Sequence, residues 1–390
     1  MKTVSIPWSA WYNTRKLELN FPEDWEITVS EMRGGTEIGE LGIARAFANP
    51  IGSPRLEALS KNAKSAAILV DDLSRPTPAY RLLPHIITEL SRGGIPVEQI
   101  KIICALAAHR PLTRDDLIKK IGIDHVDSMH VLNHNAYENL EFLGHSSRGI
   151  PIFVNRDFMS CDLRIALGMI TPRGGFFGGG SKLLLPGACG HVTITANHRY
   201  VREGFREHLD EVARMADLRF IVNPLLNAEL EIIALVTGDP EAAFWKGVEY
   251  GKELYRTSIP ENADVGIFNA FPKDTEFVQA GLATVPMSGT KKKLLKDGAT
   301  VVICSASPEG LGWHSVLGPG TALAGKPAPP KRRTILFSPG INRWDAKMKH
   351  GEGYIFCKTW PEVLDVLKDS HGAGTRAVVF PCGALQYGGD

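Results

Sequence analysis

The sequence predicts an α/β protein built from two α/β domains with a ligand cleft between them. Three observations lead there. The chain has 390 residues, more than one hydrophobic core usually supports. Short β-rich apolar runs alternate with helical patterns along most of its length. Its 39 glycines and 25 prolines exceed average usage and fall in compact loops rather than in repeats. Composition also excludes several classes. With 44% hydrophobic and 22% charged residues the chain folds rather than staying disordered. Lys plus Arg 44 against Asp plus Glu 43 leaves a net charge of +1, so no global positive field favours nucleic acid or an anionic membrane. No apolar stretch reaches the roughly 18 residues of a spanning helix, and the N-terminus lacks a signal-peptide pattern. The six cysteines form no CxxC pair and have mostly apolar neighbours, which reads as buried thiols in a reduced, cytoplasmic protein.

The elements follow in order. Strands are expected at EITVSEM (26–32), AAILVDD (66–72) and KIICALA (101–107), with helices over 79–93 and from Thr113 onward. This is βαβα bookkeeping. Further strands follow at DSMHVLN, LEFLG, IPIFVN, DLRIALGMI (162–170), RFIVNPLL and ELEIIALVTG, then a helical stretch at 241–257. A second series runs DVGIFNAF, a helix near 274–284, TVVICSA, TILFSPG, a helix near 361–369 and RAVVFPC. The boundary is expected at 258–263, giving an N-terminal domain over 1–260 and a C-terminal domain over 261–390 that closes the cleft. KKKLLK at 291–296 reads as a solvated helix face. Because ligands sit beyond the carboxyl ends of strands in such sheets, the loops after AAILV, KIICAL and RIALGMI should converge.

Those loops carry the unusual residues. In VDDLSRPTP (70–78) a strand ends on Asp71 and Asp72, and a turn presents Ser74, Arg75 and Thr77; the acidic pair reads either as turn chemistry or as a device that orients a substrate or base. In AAHRPLT (107–113), His109 sits at a loop tip, placed for general base work at neutral pH. The segment ITPRGGFFGGGSKLLLPGACGHVTITANH (170–198) is the most informative. Gly178, Gly179 and Gly180 let the backbone approach a ligand, and Ser181 and Lys182 follow. It has neither P-loop nor dinucleotide-fingerprint spacing. A glycine-rich loop delivering a lysine suits covalent attachment, and His198, sixteen residues on, is a candidate transition-metal ligand. WHS at 313–315 offers Trp313 and His314 to a cleft-facing loop or to packing. Trp8, Trp11 and Tyr12 either line the cleft or anchor the N-terminal segment.

Taken together, DDxxRPTP, HRP, GGGxKxxLPG and the later NH resemble lactate racemase and its nickel-dependent relatives. The resemblance covers most of the chain and is strongest over 66–200. It implies a racemase or epimerase of 2-hydroxy acids using a nickel-pincer nucleotide, a pyridinium-3,5-bisthiocarboxylic acid mononucleotide. That group would be tethered to Lys182, with its nickel completed by His198. Arg75, Thr77, Gly178, Gly179, Gly180 and Ser181 would support it, His109 and Asp72 would serve catalysis, and Gln279, Arg75, Trp313 and His314 would face substrate. The cofactor accepts a hydride from C2 while a histidine takes the hydroxyl proton. Two departures stand out. Arg173 occupies the place of the family's second catalytic histidine, in a loop one residue shorter, and Leu282 replaces a carboxylate-binding lysine three residues after Gln279. Arginine stays protonated, so Arg173 is expected to bind the carboxylate, with His191, His314 or a substrate hydroxyl serving the second face. Lactate is then a poor fit, and a larger or sugar acid a better one.

Three alternatives stand beside this reading: non-inverting hydride transfer with the same cofactor, a divalent-metal hydrolase on Asp71, Asp72, His109 and Arg75, and a non-catalytic nucleotide-binding protein. The expected partners are the small-molecule acid and the proteins that make the cofactor, with no nucleic acid and no membrane. Assembly into a homo-oligomer is compatible with the composition.

Overall fold

The computed structural model describes residues 1–389 apart from 202, 289, 322 and 326. Its frame is α/β: two six-stranded sheets, each the centre of one body. The first sheet has the spatial order Ile232–Gly238, Phe220–Leu226, Leu163–Leu167, Ala66–Asp71, Ile100–Ala105, His130–Asn133, parallel except at its first edge. The second is parallel throughout, in the order Tyr354–Cys357, Thr334–Phe337, Leu295–Cys304, Ala263–Asn269, Arg376–Phe380, Glu26–Val29.

Both central strands explain themselves. Every residue of Ala66–Asp71 is buried, as a continuous apolar run covered on both faces requires. In Ala263–Asn269 the alternation is split between two cores: Val265 and Ile267 join Trp8, Phe21 and Trp360 on one face, while Phe268 joins Phe277 and Phe380 on the other. The helix Arg114–Ile121 opens on Thr113 with a capping box, Thr113 Oγ1 accepting from the Asp116 N–H and the Asp116 carboxylate accepting from the Thr113 N–H.

In each sheet the order reverses beside the central strand, so Ala66–Asp71 has the earlier-continuing Ile100–Ala105 on one side and Leu163–Leu167 on the other. Ala263–Asn269 likewise lies between Leu295–Cys304 and Arg376–Phe380. Crevices open at such points. The two face each other.

Several expectations are corrected. The first body does not begin at residue 1: Glu26–Val29 pairs with Arg376–Phe380, and the hairpin of Lys2–Trp8 with Arg15–Phe21 packs on the second core. The segment EITV therefore belongs to the second sheet, because the apolar faces that cover it come from there. Trp8 stacks on Phe337 at 5.5 Å, an anchor rather than a cleft wall. KKKLLK is no solvated helix face. Leu294 and Leu295 are buried as it runs into the strand Leu295–Cys304. The helix expected over 274–284 is a 3-10 helix, Phe277–Thr284, extended by the short α-helix Val285–Ser288. Among the described residues no helix is long and apolar enough to cross a membrane.

Candidate active site

The three loops predicted to converge do so, and the second body's crevice adds a fourth wall. They enclose a cleft of about 330 Å³ whose lining includes Asp72, His109, Arg173, Lys182, His198 and Gln279.

The glycine-rich segment is not a plain loop. Thr171–Arg173 pairs with Phe176–Gly178 as a hairpin, and the 3-10 helix Gly180–Leu183 then carries Lys182. Glycine is required at 179, where φ is +111° and a Cβ would meet Ile170 Cγ1 at 2.9 Å. Downstream, the helix His191–Tyr200 brings His198 back to the cleft. Its β-branched sequence is a weak helix former; Thr193 holds it, accepting from the Phe153 N–H at 2.9 Å and donating to the Pro151 carbonyl at 2.7 Å.

Lys182, Arg173 and Arg75 share this wall. A Cβ on Gly178 would sit 3.6 Å from Arg173 Nε and 3.7 Å from Lys182 Cδ, ordinary contact distances that place both side chains beside the hairpin. Burial, then the charges of Arg173, Arg75 and Arg206, hold the Lys182 ammonium well below the usual lysine range, which favours a nucleophilic neutral amine. Burial, then Arg75, pushes the Arg173 pKa down to about 9, still cationic at neutral pH. Its buried Nε has no hydrogen-bond partner. His198 Nδ1 bonds the Ile194 carbonyl at 2.8 Å, which leaves Nε2 for a ligand; burial lowers its pKa, keeping the ring neutral.

Opposite stands His109. Its Nδ1 lies 3.0 Å from Glu276 Oε1 and 3.7 Å from Asp72 Oδ2, and its Nε2 is 3.3 Å from the Gln279 amide nitrogen. Burial disfavours the imidazolium, but the Asp72 charge and the Glu276 hydrogen bond outweigh it, and the His109 pKa rises. Asp72 accepts from the Ser74 N–H at 2.9 Å; burial opposes its charge, yet His109 and Arg75 hold its pKa below the usual range. Lys120, fully buried, fixes this turn. It reaches an Asp71 carboxylate oxygen at 2.5 Å and donates to the carbonyls of Asp72 and Arg75 at 3.1 and 2.9 Å.

Some predicted residues do not face the cleft. Thr77 Oγ1 donates to Asp71 at 2.6 Å, a turn-holding bond, and Asp71 is thereby engaged with Thr77 and Lys120 on the cleft's floor. Gly180 donates its N–H to Asn223 Oδ1 at 2.8 Å, and Ser181 Oγ donates to Asp210 at 2.7 Å; both residues are buried and brace the loop from behind. Trp313 is 55% exposed and its backbone N–H, not its ring, serves the site, donating to Glu276 at 3.2 Å. His191 stacks on Tyr137 at 4.9 Å instead of lining the cleft. His314 does line it, but burial pushes its pKa to about 3 and its Nδ1 accepts from the N–H groups of Val316 and Leu317. Its Nε2 is therefore a donor, not a base. Among the described residues no group of three or more His, Cys, Asp or Glu is arranged to hold a metal ion.

Sequence reasoning passed over Glu276, although it lies only three residues before Gln279. It also passed over Lys273, which is fully buried and donates to Thr171 Oγ1 at 2.8 Å, joining the two bodies beneath the cleft.

A family model described as the lactate racemase N-terminal domain matches residues 12–209. The lactate racemase of Lactiplantibacillus plantarum is 29% identical over 289 residues, covering 69% of this chain and 66% of that protein. That of Thermoanaerobacterium thermosaccharolyticum is 28% identical over 334 residues, covering 80% of this chain and 76% of the relative. In structure, the lactate racemase apoprotein from Thermoanaerobacterium thermosaccharolyticum superposes with a TM-score of 0.76 over 99% of both chains at 22% identity. A Thermotoga maritima protein superposes at 0.65 over 87% of this chain and 99% of its own, at 16% identity. The family match spans half of the sequence and includes the loops that build the cleft from Asp72 to His198: the chain belongs to the lactate racemase family.

Proposed function

We propose that the chain is a racemase or epimerase that inverts C2 of a 2-hydroxy acid larger than lactate, with a nickel-pincer nucleotide bound at Lys182 and His198. Family membership supports the isomerase class. One observation carries the finer reading: Lys182, whose buried amine no anion offsets, shares a cleft with a histidine whose Nε2 is left free. A covalently attached, anionic, metal-bearing group fits that pair, and the Arg75 and Arg173 guanidiniums beside it match its negative charge. The Arg173 Nε without a partner is the atom an incoming anion would satisfy.

When bound, the cofactor supplies a hydride acceptor. The chain's own residues do the rest. His109 takes the hydroxyl proton at Nε2, its ring held by Glu276 and Asp72 through Nδ1. Gln279, 3.3 Å from that nitrogen, is placed to orient the hydroxyl. Arg173 holds the carboxylate, and His314 presents an Nε2 hydrogen to the forming carbonyl side. Leu282, lining the same cleft, offers no charge where the family has a lysine. Lactate is accordingly a weak substrate, and an acid with a longer or hydroxylated chain fills the space better.

Intact-protein mass spectrometry with metal analysis tests this, on protein co-expressed with the cofactor-synthesis proteins. A covalent adduct with stoichiometric nickel, absent from Lys182→Ala, is expected. No adduct, when the same co-expression loads another family member, would reject the reading.

A further inference from the structure

The helix Arg343–His350 carries two lysines near its end with different fates. Lys347 pairs with Glu352 at 2.6 Å, half exposed. Lys349 turns inward and lines the cleft, and among the described residues no carboxylate lies within ion-pair distance of it. Glu276 acts on it electrostatically against the cost of burial, but its oxygens are already taken. Oε1 accepts from Gln279 at 3.3 Å and pairs with His109, and Oε2 accepts from the Trp313 N–H.

The lysine's placement is not loose. The helix starts on an Asn342 capping box, and His350 at its end packs its ring on Phe277 at 5.5 Å and Tyr354 at 4.9 Å. Phe277 opens the 3-10 helix that carries Gln279 and Leu282, so Lys349 is fixed to the same piece of the second body. Arg173 belongs to the other wall, beside Lys182. An α-carboxylate held by Arg173 leaves Lys349 facing the cleft alone, and a half-buried ammonium without a counter-ion is costly until an anion arrives. Leu282 and Leu317 line the same cleft with apolar surface. That surface suits methylenes better than a row of hydroxyls.

We propose that Lys349 binds a second carboxylate at the far end of the substrate, so that the preferred substrates are 2-hydroxy dicarboxylic acids. The proposal rests on the racemase reading and narrows it. The test compares cofactor-loaded wild type, Lys349→Met and the outward control Lys347→Met on malate and 2-hydroxyglutarate against lactate and 2-hydroxybutyrate. Inversion kinetics and calorimetric affinity are both read. In Lys349→Met the diacid-to-monoacid ratio of affinities should fall about tenfold or more, through KM rather than kcat, and Lys347→Met should keep the wild-type ratio. An unchanged ratio in Lys349→Met overturns the proposal, as does an equal loss for both classes, which would make Lys349 an α-carboxylate anchor. If no acid is inverted while wild type binds diacids preferentially and Lys349→Met does not, the racemase reading fails and the diacid site stands.

Discussion

Glu276 governs how His109 faces the cleft and how tightly it holds a proton. At 3.0 Å from Nδ1 it selects the tautomer that leaves the Nε2 lone pair toward substrate. Together with Asp72 it raises the His109 pKa above its ordinary 6.5 despite burial. With His109 as the proposed base, activity should fall as pH drops through that raised pKa. Replacing Glu276 by Gln removes a charge that favours the imidazolium; the His109 pKa then falls, and the acid limb of the kcat/KM profile should move to lower pH. An acid limb that stays put would assign the titration to another group. His109→Ala should cost about a hundredfold to ten-thousandfold. Most of these side chains were readable from the sequence, because a loop after a parallel strand is where chemistry collects and the residues there were few and unusual. Glu276 and Lys349 were not. Neither has a local pattern of its own, and each becomes a site residue only when the second body docks on the first.

The glycine-rich hairpin is an element whose shape is its function. Gly179 at φ +111°, with the Ile170 side chain and Met169 carbonyl at the place of a missing Cβ, sets the path that delivers Lys182. Gly179→Ala should destabilise the fold by about 1–3 kcal/mol, read from urea midpoints, and should reduce cofactor loading along with it. Full stability in that variant would mean the loop relaxes freely. The glycines announced this from the sequence. The helix His191–Tyr200 did not announce itself, since Val192, Thr193, Ile194 and Thr195 read as strand. Bonds from Thr193 to the backbone of the neighbouring strand Pro151–Asn155 override that preference. The helix Arg343–His350 likewise has a mostly polar surface and a poor apolar stripe; its Asn342 capping box and the packing of His350 on Phe277 hold it.

At the scale of the whole molecule, the two bodies are joined by a polar strut along one rim. Arg110 pairs with Asp116 at 2.7 Å and with Glu309 at 2.8 Å, and the Tyr12 hydroxyl donates to Glu309 at 2.6 Å. The Ser315 N–H reaches the Ala108 carbonyl at 2.8 Å, next to His109. Glu309→Gln should weaken closure by about 1–3 kcal/mol, raising KM and enlarging the radius of gyration measured by solution X-ray scattering. If both stay at wild-type values, the strut does not hold the cleft shut. The two-body plan was legible in the alternation of strands and helices, and so was the meeting of the first three loops. The ownership of the first thirty residues was not: EITV matches either sheet equally well, and only the long-range register against Val378 and Val379 decides.

That register sets a timetable. Glu26 lies opposite Arg376, so roughly 350 residues separate partners that must meet, and at ribosomal speed about 20 to 70 s pass between the emergence of one and the other. Until residues from 265 onward emerge, Trp8, Phe21 and Trp25 have no floor to rest on, while the first sheet, whose strands are close neighbours in sequence, has time to form. The partner made first thus waits longest to find its place. A newborn chain spends its synthesis trailing three large aromatic residues, and whatever shields them before the final strand arrives decides how much of it reaches the folded state.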